Sequence, residues 1–208
     1  MQSYESLNEV CITSETDPFT EERYHQFYRF LPKEVSTVLD VGCNTGRGGR
    51  ILKVLNPNLQ IVGLECVKAR LERLPKEVYT RTICGYSTEI PAEDNSFDAI
   101  IAGEFIEHLY AQDVDKTLAE MFRTLKIGGR LLLTTPNPND IKLRLRKQSV
   151  LGGAHVSQHF PDALKIKLKM MGYSNVKVYG SGKTSRYLGY TFPLLSLYGS
   201  YLAIADKR

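Results

Sequence analysis

The chain has 208 residues, 42% hydrophobic and 24% charged, and its 27 lysines and arginines against 23 acids leave a net charge of +4, which excludes a disordered chain and is too mild to announce a nucleic-acid partner. No apolar run approaches the roughly 20 residues needed to span a bilayer, and Met1 to Pro18 is polar and acidic rather than signal-like. Cys11, Cys43, Cys66 and Cys84 show no paired spacing, so one cytoplasmic domain over residues 1–208 is expected, with neither a disulfide framework nor a zinc knuckle.

Thr20 to Leu31, with Tyr24, Phe27, Tyr28 and Phe30, reads as a helix ahead of the core, within an N-terminal helical extension at residues 1–33. Its aromatics either close over a site or pack inward. The strand Thr37 to Gly42 runs into the turn Gly42-Cys43-Asn44-Thr45-Gly46 and then the helix Arg47 to Leu55. Glycines there let the main chain approach a ligand, and the N–H groups that open the helix can receive its polar atoms. A second strand, Gln60 to Glu65, ends in an acid suited to the two hydroxyls of a ribose. A nicotinamide site carries the same acid, but its G-x-G-x-x-G run has glycine where this chain has Asn44.

Beyond Glu65 the pattern predicts a helix at Lys68 to Leu74, strands at Tyr79 to Ile83 and Phe97 to Ala102, and a helix at Asp113 to Leu125. A strand at Arg130 to Thr135, a helix at Asp162 to Met171, and strands at Asn175 to Tyr179 and Tyr201 to Asp206 follow. Such alternation predicts a parallel sheet covered on both faces, with ligands at the carboxyl ends of its strands.

Just after the fourth strand the chain reads Glu104-Phe105-Ile106-Glu107-His108-Leu109, and on a helix Glu104, Glu107 and His108 would share one face. Two carboxylates beside an imidazole form either a divalent-cation site or an acid-base cluster. His155 and His159, with Phe160, lie before the helix at Asp162, where capping, general-base and metal-ligand roles all stay open. Between them, Ile141 to Gln148 holds four cations and no acid. It is either a solvated face with its leucines inward or an amphipathic flap toward an anionic substrate, a phosphate-bearing lipid carrier or a membrane. Gly180 to Ser200 is too long for a tight hairpin and suits an acceptor pocket or an oligomer contact.

Val38 to Gly46 resembles motif I of the class I S-adenosylmethionine-dependent methyltransferases, in their type 11/23-like group. The likeness runs from about Val35 to Asn137, through Glu65, the stretch Cys84 to Asp98 and the turn Leu125 to Leu133. It implies a Rossmann-like, doubly wound α/β sheet of seven strands, mostly parallel with an antiparallel C-terminal strand. It also implies a substrate-capping insertion at residues 138–160. S-adenosylmethionine would be the cofactor, contacted by Asp40, Gly42, Cys43, Asn44, Gly46, Glu65, Cys66, Tyr86, Ser87 and Gly103. Tyr86 departs from the pattern: the family often has an acid there facing the adenine amino group, so backbone groups or a stacked ring would serve instead.

The Glu-x-x-Glu-His spacing resembles the metal-assisted O-methyltransferases of ubiquinone biosynthesis and those that methylate the terminal ribose of small RNAs. That implies a divalent cation such as Mg on Glu104, Glu107 and His108, and a catalytic set of Glu104, Glu107, His108, His155 and His159. The expected reaction is methyl transfer to a small-molecule or saccharide-like acceptor, at oxygen. A metal-dependent RNA ribose methyltransferase and a noncatalytic cofactor-binding module are the alternatives. A small-molecule partner is favoured over nucleic acid, and no oligomeric state is implied.

Overall fold

A computed structural model describes residues 3–9 and 17–208; Cys11 and half of the polar stretch Met1 to Pro18 lie outside them. Among the described residues two helices, α1 (Tyr4–Glu9) and α2 (Thr20–Phe30), precede a seven-stranded sheet. Its strands are β1 (Thr37–Val41), β2 (Gln60–Glu65), β3 (Arg81–Cys84), β4 (Phe97–Gly103), β5 (Leu125–Pro136), β6 (Ser174–Ser181) and β7 (Ser200–Asp206), in the order β3-β2-β1-β4-β5-β7-β6. The first five pair in parallel, and β7 lies antiparallel between β5 and β6. The helices between are α3 (Arg47–Leu55), α4 (Lys68–Leu71), α5 (Ala111–Thr124), α6 (Ile141–Leu145), α7 (Pro161–Met170) and α8 (Ser185–Leu188). Among the described residues no helix is long and apolar enough to cross a membrane.

Side chains alternate across each central strand, and both faces are apolar because both are covered. Leu39, Val41, Ile100, Ala102, Leu131 and Leu133 pack under α5 and α7. Val38, Ile61, Ala99, Ile101 and Leu132 pack under α2 and α3. The sheet order reverses between β1 and β4, and chain reversal there opens a crevice at the carboxyl ends of these two strands.

On the α2 face Asp40 stands among these apolar side chains, fully buried. Its carboxylate accepts hydrogen bonds from the hydroxyls of Tyr24 on α2 and Tyr79 ahead of β3, each at 2.8 Å. The consecutive glycines in α3 explain how both rings arrive: a Cβ on Gly48 would overlap the Tyr24 ring, and one on Gly49 the Tyr79 hydroxyl. A pair of residues poor in helix propensity therefore gives room for the two donors that a buried carboxylate requires.

Candidate active site

The loop after β1 holds three left-handed residues, Gly42 (φ 69°), Asn44 (φ 50°) and Gly46 (φ 81°), the conformation that glycine adopts freely and asparagine tolerates best among the rest. The amides of Gly42 and Cys43 both donate to the Leu64 carbonyl, at 2.8 and 3.1 Å, which pins the loop to β2. Glu65 completes the anchor: Oε2 accepts from the Asn44 amide at 3.1 Å and Oε1 from the Val67 amide at 3.0 Å. The Cys66 thiol adds a weak bond to Oε1 at 3.5 Å, so a hydroxyl donor finds an open lone pair on Oε2 and has only a thiol to displace on Oε1.

A cavity of about 510 Å³ opens over this loop, a size that suits a nucleoside carrying an amino-acid tail. Gly42, Cys43, Asn44, Glu65, Cys66, Tyr86, Ser87 and Gly103, eight of the ten residues named as cofactor contacts, line it. Asp40 and Gly46 do not. Asp40 is turned to the opposite side of the loop by its two tyrosine hydroxyls, and Gly46 packs against Leu74, Pro75 and Tyr79. Both shape the cradle from beneath. Tyr86 has its hydroxyl on the Glu5 carboxylate of α1, which pushes the phenol up to about 12, and its ring stands 6.1 Å from that of Tyr4. Ser87 shares a hydrogen bond of 2.8 Å with Thr117.

Burial pushes the Asp40 carboxyl up to about 6, and its two tyrosine donors only partly oppose the shift. The native chain therefore keeps a proton that the unfolded chain gives up near pH 4. Stability is expected to fall by about 3 kcal/mol between pH 4 and pH 6 on this account, with the cost complete above pH 6. Asp40→Asn should flatten that segment of a urea-denaturation profile against pH; parallel profiles for the two proteins would disprove the assignment.

At the end of β4 the residues expected on one helix face are not on a helix. Glu104 is left-handed (φ 50°), its amide donating to both the carbonyl and the hydroxyl of Thr134, and only Ile106–His108 form a single 3₁₀ turn. The turn separates the expected trio. Glu104 sits 3.8 Å from Arg23 and accepts from Ser200 at 3.2 Å, while Phe105 lies against Gly42. Glu107 is buried, with Oε2 accepting from Thr135 at 2.9 Å and Oε1 without a hydrogen-bond partner among the described residues. Burial, reinforced by the nearby Glu104 charge, drives its carboxyl well above the usual range.

In place of Glu104, His155 joins Glu107 and His108: one ligating atom from each lies within 4.8 Å of the others. The loop that carries His155 is fastened to the 3₁₀ turn, because the Val156 and Ser157 amides both donate to the Glu107 carbonyl. His108 Nδ1 is 3.0 Å from the Ala154 carbonyl, and His155 Nδ1 is 3.0 Å from the Val150 carbonyl. A carbonyl only accepts, so each ring carries its proton on Nδ1 and keeps the Nε2 lone pair for a proton or a cation. Burial first, then the His155 ring, lowers His108 to about 4. His159, expected in the catalytic set, does not line the cavity: its Nε2 meets the Ser157 hydroxyl and the Ile106 carbonyl at 2.9 and 3.2 Å. It braces the turn.

Sequence reasoning missed Arg23, Tyr4 and Arg70, which also line the cavity, as do Gly182 and Ser200 from the Gly180 to Ser200 segment. A cation on the inward side of an aromatic-rich helix was the available signal for Arg23, which bridges Asp17 at 3.0 Å and Glu104.

Residues 39–133 match the family model described as a methyltransferase domain. A malonyl-[acyl-carrier protein] O-methyltransferase of Laribacter hongkongensis is 28% identical over 134 residues, covering 58% of this chain and 44% of the relative. A demethylmenaquinone methyltransferase of Symbiobacterium thermophilum is 27% identical, covering 63% and 53%. The chain thus spans about half the length of the curated relatives it matches. Among solved structures, a SAM-dependent methyltransferase of Thermotoga maritima superposes with a TM-score of 0.75 at 18% identity, over 99% of this chain and all of the other. The small RNA methyltransferase HEN1 superposes with a TM-score of 0.72 at 18% identity, over 92% of this chain and 25% of that one. Both structural likenesses concern the fold.

Proposed function

We propose that the chain, whose residues 39–133 match a methyltransferase-domain family model, is a class I S-adenosylmethionine-dependent methyltransferase that transfers a methyl group from S-adenosylmethionine to an oxygen of a small-molecule or saccharide-like acceptor. One observation carries this reading: a single cavity joins the Gly42–Asn44 loop and Glu65 at one end to Glu104, His108 and His155 at the other. The residues fit the cofactor, since Glu65 has hydroxyl-accepting capacity left and the loop offers its main chain. Glu65 would hold the ribose, Gly42, Cys43 and Asn44 the amino-acid side, and Cys66, Tyr86 and Ser87 the base.

S-adenosylmethionine supplies an electrophilic methyl on a sulfonium, so no covalent intermediate on the protein is required. What remains for the chain is to align the acceptor oxygen and remove its proton. Burial has made His108 a poor base at about 4, and His155, the other imidazole that lines the cavity, is assigned that task on its position. Residues 138–160, which bring His155 to the cavity, act in this reading as the acceptor cap. The described cysteines, Cys43, Cys66 and Cys84, are free thiols, which supports a cytoplasmic setting.

A second reading is favoured by the unpartnered Glu107 Oε1 beside two imidazoles. Glu107, His108 and His155 offer one carboxylate and two imidazoles, a donor set that fits a divalent transition-metal ion better than the Mg expected from sequence, and such a cation would acidify a sugar hydroxyl and suit RNA ribose methylation. Incubation with methyl-labelled S-adenosylmethionine and panels of phenols, carboxylic acids, saccharides and small RNAs tests both. O-methylated small molecules support the first reading and labelled RNA the second. Label found on nitrogen or carbon would refute the oxygen assignment, and cofactor binding with no product in any panel supports a noncatalytic module.

A further inference from the structure

The C-terminal third of the chain carries charge that the rest does not. Residues 141–205 hold ten lysines and arginines and a single acid, Asp162, although the whole chain is nearly balanced at 27 to 23. Four of the ten, Lys142, Arg144, Arg146 and Lys147, lie on α6 and just past it, all exposed and, among the described residues, without an ion-pair partner. Exposed apolar side chains are interleaved with them: Leu145 is 78% exposed and Ile141 42%. Helix α6 packs on the 3₁₀ turn Leu195–Leu197, and the segment leading into that turn exposes Leu194 at 56% and Phe192 at 38%. The Asn137 amide donates to the carbonyls of Leu195 and Tyr198, which ties the two segments into one face. That face borders the cavity, since Gly182 and Ser200 line it from the same stretch of chain.

Cations alone would suit any polyanion, but a nucleic acid offers no apolar layer to cover Ile141, Leu145 and Leu194. Aliphatic side chains held out among unpaired cations fit a surface that is anionic outside and apolar just beneath, which is the interface of a bilayer. We propose that this face docks on an anionic lipid bilayer and brings the acceptor end of the cavity to the membrane surface. The charge asymmetry orients the molecule, because the remainder of the chain, net acidic, is repelled by the same surface.

Flotation of the full chain with vesicles tests this without cofactor or acceptor, so the result stands apart from whether methyl transfer occurs. Binding is expected to vesicles of phosphatidylcholine containing roughly a third phosphatidylglycerol, to be absent with phosphatidylcholine alone, and to weaken with salt. Each of Lys142→Ala, Arg144→Ala, Arg146→Ala and Lys147→Ala should weaken it about fivefold. The exposed pair Leu145→Ser and Leu194→Ser should weaken it too, with the melting temperature unchanged. Failure to float with anionic vesicles would overturn the proposal. So would binding indifferent to the leucine changes and equally strong to an RNA oligomer, which assigns the face to nucleic acid.

Discussion

Glu65→Ala is expected to abolish measurable binding of S-adenosylhomocysteine in a calorimetric titration, a loss on the order of 100-fold or more. Hydrogen bonds to a charged acceptor contribute roughly 1.5–3 kcal/mol each, and a ribose would place two on this carboxylate. The same substitution frees the Asn44 and Val67 amides, so the loop would also lose its fixed shape. Glu65→Gln separates these effects: the amide keeps one accepting oxygen but turns an NH₂ toward a backbone donor. An intermediate loss is expected, with the fold intact by circular dichroism. Wild-type affinity in the alanine variant would remove the cofactor assignment, because the other acids that line the cavity, Asp17 and Glu104, are engaged with Arg23.

Elements set by local pattern were legible in the sequence. The helix Arg47–Leu55 and the strand Gln60–Glu65 appear at the limits expected, since glycine turns and a change of apolar period mark both. Ends governed by tertiary pairing were less so. Strand β5 begins at Leu125 rather than Arg130, because its first residues pair with Phe97 across an irregular register. Helix α4 stops at Leu71, and the chain to Leu74 continues as single turns.

The site divides along the same line. Loop, acid and cavity lining could be read because the functional atoms belong to residues close to the glycines that shape the turn. The cluster after β4 could not. Its geometry depends on Thr134, thirty residues away, which captures the Glu104 amide and forces a left-handed residue where local spacing suggested a helix. The burial of Asp40 rests likewise on Tyr24 and Tyr79, and neither tyrosine announces its partner in sequence. His155 and His159 looked equivalent; only the fastening of Val156 and Ser157 to the Glu107 carbonyl turns one ring to the cavity and the other to Ser157.

That difference between the histidines has a measurable consequence. His155→Ala is expected to abolish binding of Mn²⁺ to the otherwise intact protein, whereas His159→Ala should leave it unchanged, since only His155 groups with Glu107 and His108. Binding should also strengthen with pH. Glu107 is held protonated by burial and by the Glu104 charge, so a cation must displace a proton, and affinity should rise up to about tenfold per pH unit while that proton remains. A calorimetric titration at pH 6 and pH 8 in buffers of different ionisation heat would register the released proton. Identical affinity at the two values, or equal sensitivity to the two histidine variants, would dismiss the cluster as a cation site. If Mn²⁺ binds as expected yet methyl transfer survives a chelator while His155→Ala lowers it by about 100-fold or more, the imidazole acts as the base. Loss of activity to the chelator, restored by added Mn²⁺, instead assigns proton removal to the cation's acidifying effect on the acceptor oxygen.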